Sequence, residues 1–359
     1  MISRITRGAL ALALAAACAG LTAGAAQSLK KITLVQMHPI MGVGEEIFLY
    51  AVPKRLGYFA AEGLDVDIQN AQNGMMSGQV LQSNNAQVGT TAGDAIMAVR
   101  EQGGDLVSFF QLKRNPGTFL VVLADSPIRK LEDLKGKTIG APSFGAGGGL
   151  ALKENLNQLG IAPDQYTAIA TGAGPSAVAA LRSGQIDALV MWDAMLAVAE
   201  NTGLALRMVD IPLQDSLVGT TLATSAAFAA ANPQEVAGYC RAMTKGLLFT
   251  MTNRAAAIHI FWDEFPNLKP DSPDDATALK NSVHIMDRFL EMALQGQPEG
   301  GPLGEFIATN WQNTHVAFTK LGMLKASEAA TAAYTPKFLA ACNDFDHAAI
   351  VAQAKAWKE

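Results

Sequence analysis

A glycine-rich run in the middle of the chain carries residue types that bind anions. Residues 143–149 read SFGAGGG and lie between a segment that predicts a strand and a segment that predicts a helix. Glycines let backbone amides approach a ligand, and a helix N-terminus favours negative charge by about 0.3–2 kcal/mol. Ser143 offers a hydroxyl, Phe144 a stacking face, and Gly145 and Gly147 an open backbone. The run predicts a site for a carboxylate or sulfonate, and glycines that only permit a tight turn are the alternative.

Three further side chains at predicted strand ends could meet the same ligand. Arg114 offers a planar fork to a carboxylate or sulfonate, and each charge-assisted bond is worth about 1.5–3 kcal/mol; the alternative is a surface arginine beside Lys113. Trp192 could form a wall against an aromatic or alkyl body, with core packing as its alternative. His38 could donate to a ligand or fill a polar gap.

Small polar and flexible residues complete the predicted site. Thr90 and Thr91 precede a predicted helix that Asp94 caps, so their hydroxyls are free to donate to a ligand. If Asp94 instead points into the site, an amine-bearing ligand is favoured. The remaining predicted ligand contacts follow other strands of the pattern and are Met41, Thr171 and Gly172.

Motifs for catalysis and cofactors are missing from the sequence. A dinucleotide fingerprint GxGxxG counted from Gly145 and Gly147 would need a third glycine at position 150, where Leu150 stands. GxSxG, CxxC and HExxH do not occur, and the five histidines do not cluster with metal-ligand spacing. We therefore predict a binding protein with no catalytic residues, no metal and no cofactor, and a dispersed catalytic triad remains the alternative.

Strand and helix patterns alternate along the first two thirds of the chain in two successive series. Each series predicts a doubly wound parallel sheet, and residues 220–224 predict a strand that returns the chain to the first. A helical tail then begins at Asn232 and Pro233 and continues to the end. In such sheets ligands bind beyond the carboxyl ends of the strands, which is where the predicted site residues lie.

The first residues of the chain predict export. Arg4 and Arg7 precede an apolar run, and small residues follow at positions 23–26, so residues 1–26 read as a signal peptide cleaved near Ala25 or Ala26. Lipidation at Cys18 is the alternative, although Ala15 stands where a lipoprotein signal has a leucine-like residue. The net charge of −5 and the dispersed basic residues give no support to nucleic-acid binding.

The mature chain retains two cysteines, Cys240 and Cys342. They lie far apart in sequence, so we predict two buried thiols, with a disulfide in an oxidising compartment as the alternative.

Three stretches of the sequence resemble one known family. LGYFAAEGLDVDI at residues 56–68, SPIRKLEDLKGKTIGAPSFGAGGG at 126–149 and YTPKFLAACNDFD at 334–346 resemble the periplasmic solute-binding proteins of ABC importers of the nitrate, sulfonate and taurine class. The resemblance extends to pyrimidine synthases of the same superfamily and covers nearly the whole mature chain.

The resemblance implies a two-lobed α/β periplasmic-binding-protein fold of type II with a helical C-terminal tail. Lobe 1 would comprise residues 27–120 and 217–359, lobe 2 would comprise residues 121–216, and segments 119–124 and 209–220 would be hinges. The implied function is a periplasmic monomer that captures a small organic anion and delivers it to a permease and ATPase, touching the membrane only through the permease. A pyrimidine-synthase-like enzyme and a ligand-sensing receptor subunit are the alternatives.

Overall fold

Two five-stranded sheets give the described part of the chain its two lobes. The computed structural model describes residues 28–145, 147–172, 174–326 and 330–358. In chain order the strands are β1 (Lys30–Gln36), β2 (Leu64–Asn70), β3 (Val88–Ala92), β4 (Leu106–Gln111), β5 (Thr118–Leu123), β6 (Thr138–Ala141), β7 (Thr167–Ala170), β8 (Ala188–Trp192), β9 (Leu206–Val209) and β10 (Thr220–Ser225). Lobe 1 has the order β2-β1-β3-β10-β4 and lobe 2 the order β7-β6-β8-β5-β9. The predicted two-lobed α/β fold is confirmed.

Both sheets are mixed, so the prediction of parallel sheets is wrong in this respect. β10 is antiparallel to β3 and β4, and β5 is antiparallel to β8 and β9. The reason is topological. The chain leaves lobe 1 at the carboxyl end of β4 and enters lobe 2 at the edge where β8 ends, so β5 must run away from that edge.

The chain passes between the two sheets through residues 112–117 and again through residues 210–219. The segment 119–124, which the resemblance implies to be a hinge strand, lies almost entirely in β5. Leu120, Val121 and Val122 are fully buried there, because β5 is an interior strand of its sheet with a core on each face. The first connection is therefore the polar stretch that precedes this apolar run.

Helices cover both faces of the sheets and form the tail. In chain order they are α1 (Val52–Arg55), α2 (Tyr58–Ala61), α3 (Gly74–Gln82), α4 (Gly93–Glu101), α5 (Gly147–Gln158), α6 (Pro175–Arg182), α7 (Asp193–Asn201), α8 (Ala226–Ala231), α9 (Pro233–Thr252), α10 (Arg254–Glu264), α11 (Asp275–Ala293), α12 (Ala308–Lys320), α13 (Leu339–Cys342) and α14 (His347–Ala356). A π-helical turn, Ile47–Ala51, precedes α1. This turn continues directly into α1, where Pro53, which has no N–H to donate, lies at the second position of the α-helical part.

The tail packs mainly on lobe 1 and shares its core. Phe59 stacks on Tyr239 of α9 with ring centroids 5.6 Å apart, and Phe48 lies 5.4 Å from Phe289 of α11. The same helix α11 also reaches lobe 2, where Arg288 donates to Glu200 of α7 at 2.7 Å. One tail helix therefore contacts both lobes.

Cys240 and Cys342 form a disulfide, so the prediction of two buried thiols is wrong. Their Cα atoms lie 4.9 Å apart although 102 positions separate them in sequence. α13 packs on α9, which brings the two fully buried side chains together. Distance along the sequence carried no information about this contact.

Candidate functional site

The carboxyl ends of β1 and β3 meet in lobe 1, and both threonines predicted to contact ligand lie there. The hydroxyl of Thr90 accepts from the backbone N–H of Met37 at 3.0 Å, and the hydroxyl of Thr91 donates to the carbonyl of Gly74 at 2.9 Å. Both threonines are fully buried. These bonds fix the loop after β1 and the start of α3. Both hydroxyls therefore position the backbone around the site.

A charged cluster lies beside these threonines. His38 Nε2 is 3.5 Å from Glu45 Oε1, and Glu45 is only 3% exposed. Burial alone would raise the pKa of Glu45, but the hydrogen bond and positive charge of His38, together with Lys113 and Thr90, hold it below its ordinary value. Burial alone would lower the pKa of His38, and Glu45 raises it instead. The two groups thus favour an ion pair.

Glu46 is the neighbouring buried carboxyl, and its pKa is shifted upward, in the opposite direction to that of Glu45. Burial, followed by the negative charge of Glu45, raises its pKa from the ordinary value of 4.5 to about 7. Near neutral pH the cluster therefore carries a carboxyl group that is poised between its neutral and charged forms.

We expect Glu46→Gln to stabilise the protein at pH 8 and to have little effect at pH 4.5. A folded-state pKa raised above the unfolded value means that protonated Glu46 stabilises the fold below about pH 4.5, and this contribution is lost as the pH rises through 7. The difference corresponds to about 3 kcal/mol. Urea unfolding of both proteins at several pH values measures it, and a pH-independent difference would contradict the assignment.

A buried ion pair joins lobe 2 to the connection that follows β4. Lys113 Nζ lies 2.7 Å from Asp193 Oδ2 at the start of α7, and the two side chains are only 8% and 1% exposed. The same ammonium group lies 4.3 Å from the ring centroid of Phe289 of the tail. Lys113 is therefore the cation at the junction of the two lobes, next to the cluster of His38 and Glu45.

Arg114, the cation that the sequence analysis assigned to the ligand, points elsewhere. Its Nη1 donates to Gln297 Oε1 at 3.1 Å, on the side of the helical tail. The chain bends after β4, at Leu112 and again at Arg114 and Asn115, and the two neighbouring cations contact different parts of the molecule.

The predicted lobe 2 residues lie in loops at the carboxyl ends of its strands. Ser143, Gly145 and Gly147 are exposed, and the hydroxyl of Ser143 accepts from the N–H of Gly145 at 3.1 Å. Gly147 starts α5 with φ +54°, a value that favours glycine. The N–H groups of the first turn of α5 have no partners within the helix, and they lie next to this loop.

The other predicted lobe 2 residues are less open to a ligand. Phe144 packs against the core beneath α5, and Trp192 packs against the core between the sheet and α7. The hydroxyl of Thr171 bonds to backbone carbonyls of Ala141 and Gly172, at 3.3 and 3.1 Å. Met41 is half-buried in the loop after β1. The structure thus gathers the predicted residues into a lobe 1 group and a lobe 2 group, with Arg114 apart from both.

We expect Gly149→Ala to disrupt the loop and Gly145→Ala to be tolerated. A Cβ on Gly149 would lie 1.9 Å from the carbonyl oxygen of Ser143, which is backbone and cannot swing away. A Cβ on Gly145 would meet only the Ser143 hydroxyl, at 3.7 Å. Overpacking of this kind costs about 1–3 kcal/mol. Thermal melts of the two variants compare the positions, and equal melting temperatures would contradict the close approach.

The sequence analysis missed four polar residues of this region. All four are buried and charged or titratable, namely Glu45, Glu46, Lys113 and Asp193. The sequence analysis chose its candidate ligand contacts by their place on loops at strand ends, so burial was not a criterion. Gln36 at the end of β1 is similar, because it is fully buried and neither amide atom has a hydrogen-bond partner among the described residues. Buried polar groups of this kind mark a site only once the fold is known.

The described residues contain neither a cluster of metal-ligating side chains nor a membrane-spanning helix. No group of three or more His, Cys, Asp or Glu side chains in that part of the chain is arranged to hold a metal ion. No helix among the same residues is both long and apolar enough to cross a membrane.

Known proteins match this chain over most of its length. A family model described as NMT1/THI5 like matches residues 46–257. The 4-amino-5-hydroxymethyl-2-methylpyrimidine phosphate synthase of Aspergillus parasiticus is 27% identical over 251 residues, which are 66% of this chain and 71% of the synthase. The riboflavin-binding protein RibY of Chloroflexus aurantiacus is 23% identical over 294 residues, 81% of each chain.

A solved structure shows the same fold. The periplasmic aliphatic sulphonate binding protein SsuA of Escherichia coli matches with a TM-score of 0.64 and 17% identity, covering 85% of this chain and 92% of its own. The predicted kinship with solute-binding proteins and pyrimidine synthases of one superfamily is confirmed. Because the family model matches more than half of the sequence, this chain belongs to the NMT1/THI5-like family.

Proposed function

We propose that this protein captures a small organic anion, a carboxylate or sulfonate, between its two lobes and delivers it to an ABC importer. The observation that carries the proposal is the exposed loop of Ser143, Gly145 and Gly147 at the N-terminus of the twelve-residue helix α5. Free backbone N–H groups, a hydroxyl and the helix dipole favour an anion there.

Lys113 supplies the positive charge on the opposite side of the proposed cleft. It sits where lobe 1 ends and touches Asp193 of lobe 2, so a ligand held between the lobes meets it when they close. An anionic ligand group would compete with Asp193 for this ammonium. The geometry favours Lys113 over Arg114 in this role, because the guanidinium of Arg114 is engaged by Gln297.

The body of the ligand is proposed to be apolar or aromatic. Phe144 and Trp192 pack against the core on one side and are only half-buried beside the lobe 2 loops, so each leaves part of a ring for an apolar ligand body to contact. The names of two relatives, a riboflavin-binding protein and a pyrimidine phosphate synthase, support a planar ring system.

An extracytoplasmic location is supported by the disulfide between Cys240 and Cys342, since disulfides persist in oxidising compartments. The predicted signal peptide, residues 1–26, lies outside the described residues. Its cleavage near Ala25 or Ala26 stays a prediction, and the intact mass of exported protein decides it. An N-terminal diacylglyceryl group on Cys18 would contradict it.

Calorimetry on the mature protein, unfolded and refolded to remove co-purified ligand, tests the proposal. The panel contains aromatic carboxylates, alkanesulfonates, taurine, nitrate, hydroxymethylpyrimidine and riboflavin. We expect a carboxylate or sulfonate to bind best. Lys113→Met should weaken it roughly ten- to hundredfold or more, and Arg114→Ala, the matched control, by less than about twofold.

The proposed ligand class is wrong if the best ligand is cationic or uncharged. It is also wrong if Lys113→Met, measured under conditions where it is folded, binds as tightly as the unaltered protein. If only Arg114→Ala loses affinity for the anion, Arg114 is the ligand-binding cation, as the sequence analysis predicted.

A pyrimidine-forming enzyme is the second candidate, and the Aspergillus synthase relative favours it. His38, which lies 3.5 Å from buried Glu45 in the lobe 1 cluster, is the side chain placed to transfer a proton in such a reaction. Formation of a pyrimidine product by the purified protein, lost in His38→Ala, would support this function. No pyrimidine product from the unaltered protein would exclude it.

A further inference from the structure

Helix α7 of lobe 2 pairs with the tail helix α11 in antiparallel direction. At one end of the pair, Asp193 Oδ2 and Met292 Cγ both lie 3.4 Å from the position that a Cβ on Gly117 would occupy. At the other end, Glu200 and Asn201 of α7 contact residues 281–288 of α11. The contact therefore extends from the first connection between the lobes to the far end of α7.

Each helix uses one face for this contact. The contact residues of α11 recur every three or four positions, and they are Asn281, His284, Arg288 and Met292. On α7, Asp193 and Glu200 are seven positions apart and share a face, and Ala197 lies between them on that face. Ala197 is fully buried. A small buried side chain between two contact positions indicates that the helices pack closely there.

The end of the pair beside the first connection is buried and is costly to separate. Asp193 pairs with Lys113 at 2.7 Å, and both side chains are almost fully buried. The ring of Phe289, which belongs to the lobe 1 core, lies 4.3 Å from the same ammonium group. Parting a buried ion pair strands two charges without water, which is strongly unfavourable. We therefore expect this end to stay together when the lobes move.

The far end of the pair is held by polar groups, which we call the polar latch: Glu200, Asn201, Asn281, His284 and Arg288. Arg288 donates to both carboxylate oxygens of Glu200, at 2.7 and 3.2 Å, and His284 Nε2 lies 2.7 Å from Glu200 Oε2. Asn201 donates to the carbonyl of Asn281 at 3.1 Å. Burial alone would raise the pKa of Glu200, but the hydrogen bonds of Arg288 and His284 lower it, so the latch favours the charged carboxylate.

Unlike the buried end, the polar latch is in contact with water. The side chains of Glu200, His284 and Arg288 are 26%, 38% and 25% exposed. Ion pairs with this exposure contribute little each, because water replaces the partner when they part. The nine residues of α7 span roughly 14 Å, so a rotation about the buried end moves the latch further than any other part of the contact. The pair thus has a fixed end and an end that can open.

We propose that the polar latch holds lobe 2 against the tail in the free protein and opens when the lobes part. It would then set the fraction of molecules that have the described lobe arrangement before any ligand binds. The lobe 1 side is anchored, since Met286, Phe289 and Leu290 of α11 belong to the lobe 1 core. This control of lobe movement goes beyond the proposed capture of an anion and concerns the ligand-free protein, so it does not depend on the ligand class.

Pulsed electron spin resonance on the mature protein, refolded to remove co-purified ligand, measures the distance between the lobes. Spin labels are attached through Ser83→Cys and Ser183→Cys, two exposed positions directly after α3 of lobe 1 and α6 of lobe 2. Cys240 and Cys342 are bonded to each other and stay unlabelled. We expect one main distance in the labelled protein. Glu200→Gln should add a second distance, or raise its population relative to the first roughly two- to tenfold.

A matched variant separates the latch from the general effect of losing an ion pair. Glu62 also accepts from both arms of an arginine, Arg241, at 2.9 and 3.0 Å, but both residues lie on the lobe 1 side. Glu62→Gln should therefore leave the interlobe distance unchanged. Arg288→Gln, which removes the other partner of the latch, should reproduce the second distance of Glu200→Gln.

The proposal is wrong if folded Glu200→Gln and Arg288→Gln both keep the distance distribution of the protein with an intact latch. It is also wrong if Glu62→Gln adds the second distance to the same extent. Failure of every anion to bind, together with a distance that depends on the latch, would count against the proposed function alone.

Discussion

Replacing Lys113 with Met should lower the free energy of unfolding by about 3–5 kcal/mol at pH 7, because it leaves the carboxylate of Asp193 buried without its cation. The side chain of Met is close in length and fills most of the same space, so little of the loss comes from packing. The contact with the Phe289 ring is also lost, which adds to the effect. Urea unfolding followed by circular dichroism measures the change.

The double variant Lys113→Met with Asp193→Asn is the informative control. It leaves no unpaired charge at the junction, so it should be markedly more stable than Lys113→Met alone. Arg114→Met removes a neighbouring cation that bonds to an uncharged glutamine and should cost much less. A double variant as unstable as the single one would show that packing, not the ion pair, maintains this junction.

Hydrophobic patterning was enough to predict two successive α/β sheets followed by a helical tail, and the family resemblance implied the two-lobed arrangement. Residues 220–224 read as a strand that returns the chain to the first sheet, and β10 forms there, because a segment with that pattern can bury its apolar side chains in only a few ways. The direction of a strand is not contained in its pattern. β5 and β10 have ordinary strand sequences and are antiparallel to their neighbours only because the chain enters each sheet from the cleft side.

The candidate site was less predictable, for a physical reason. The Ser143 loop was recognised because glycines and a helix start leave a visible local signal. The cluster of Glu45, Glu46 and Lys113 left none, because charged residues in a sequence are expected at the surface. Only the fold shows that they are buried together, and burial is what gives Glu46 its raised pKa and Lys113 its place between the lobes.

The disulfide between Cys240 and Cys342 should stabilise the helical tail strongly. Replacing both Cys240 and Cys342 with Ala should lower the free energy of unfolding by about 4–5 kcal/mol, on the chain-entropy account of a crosslink that spans 102 positions. The bond joins α13, near the end of the tail, to α9. The tail should therefore be the first part of the protein to unfold when the bond is removed. Hydrogen exchange of α13 and α14 should accelerate before that of the strands of lobe 2.

Reducing the unaltered protein separates the crosslink from the packing of the two side chains. Reduction breaks the bond but keeps both sulfurs in a fully buried site, so it should reproduce most of the loss seen in the double Ala variant. Calorimetric melts with and without a strong reductant make the comparison. Because the bond joins two tail helices and no residue of the proposed cleft, affinity for the cleft ligand should fall only at temperatures where the tail begins to melt. If the reduced protein melts at the same temperature as the oxidised one, the tail is held by its packing alone, and the support that this bond gives to an oxidising compartment is withdrawn.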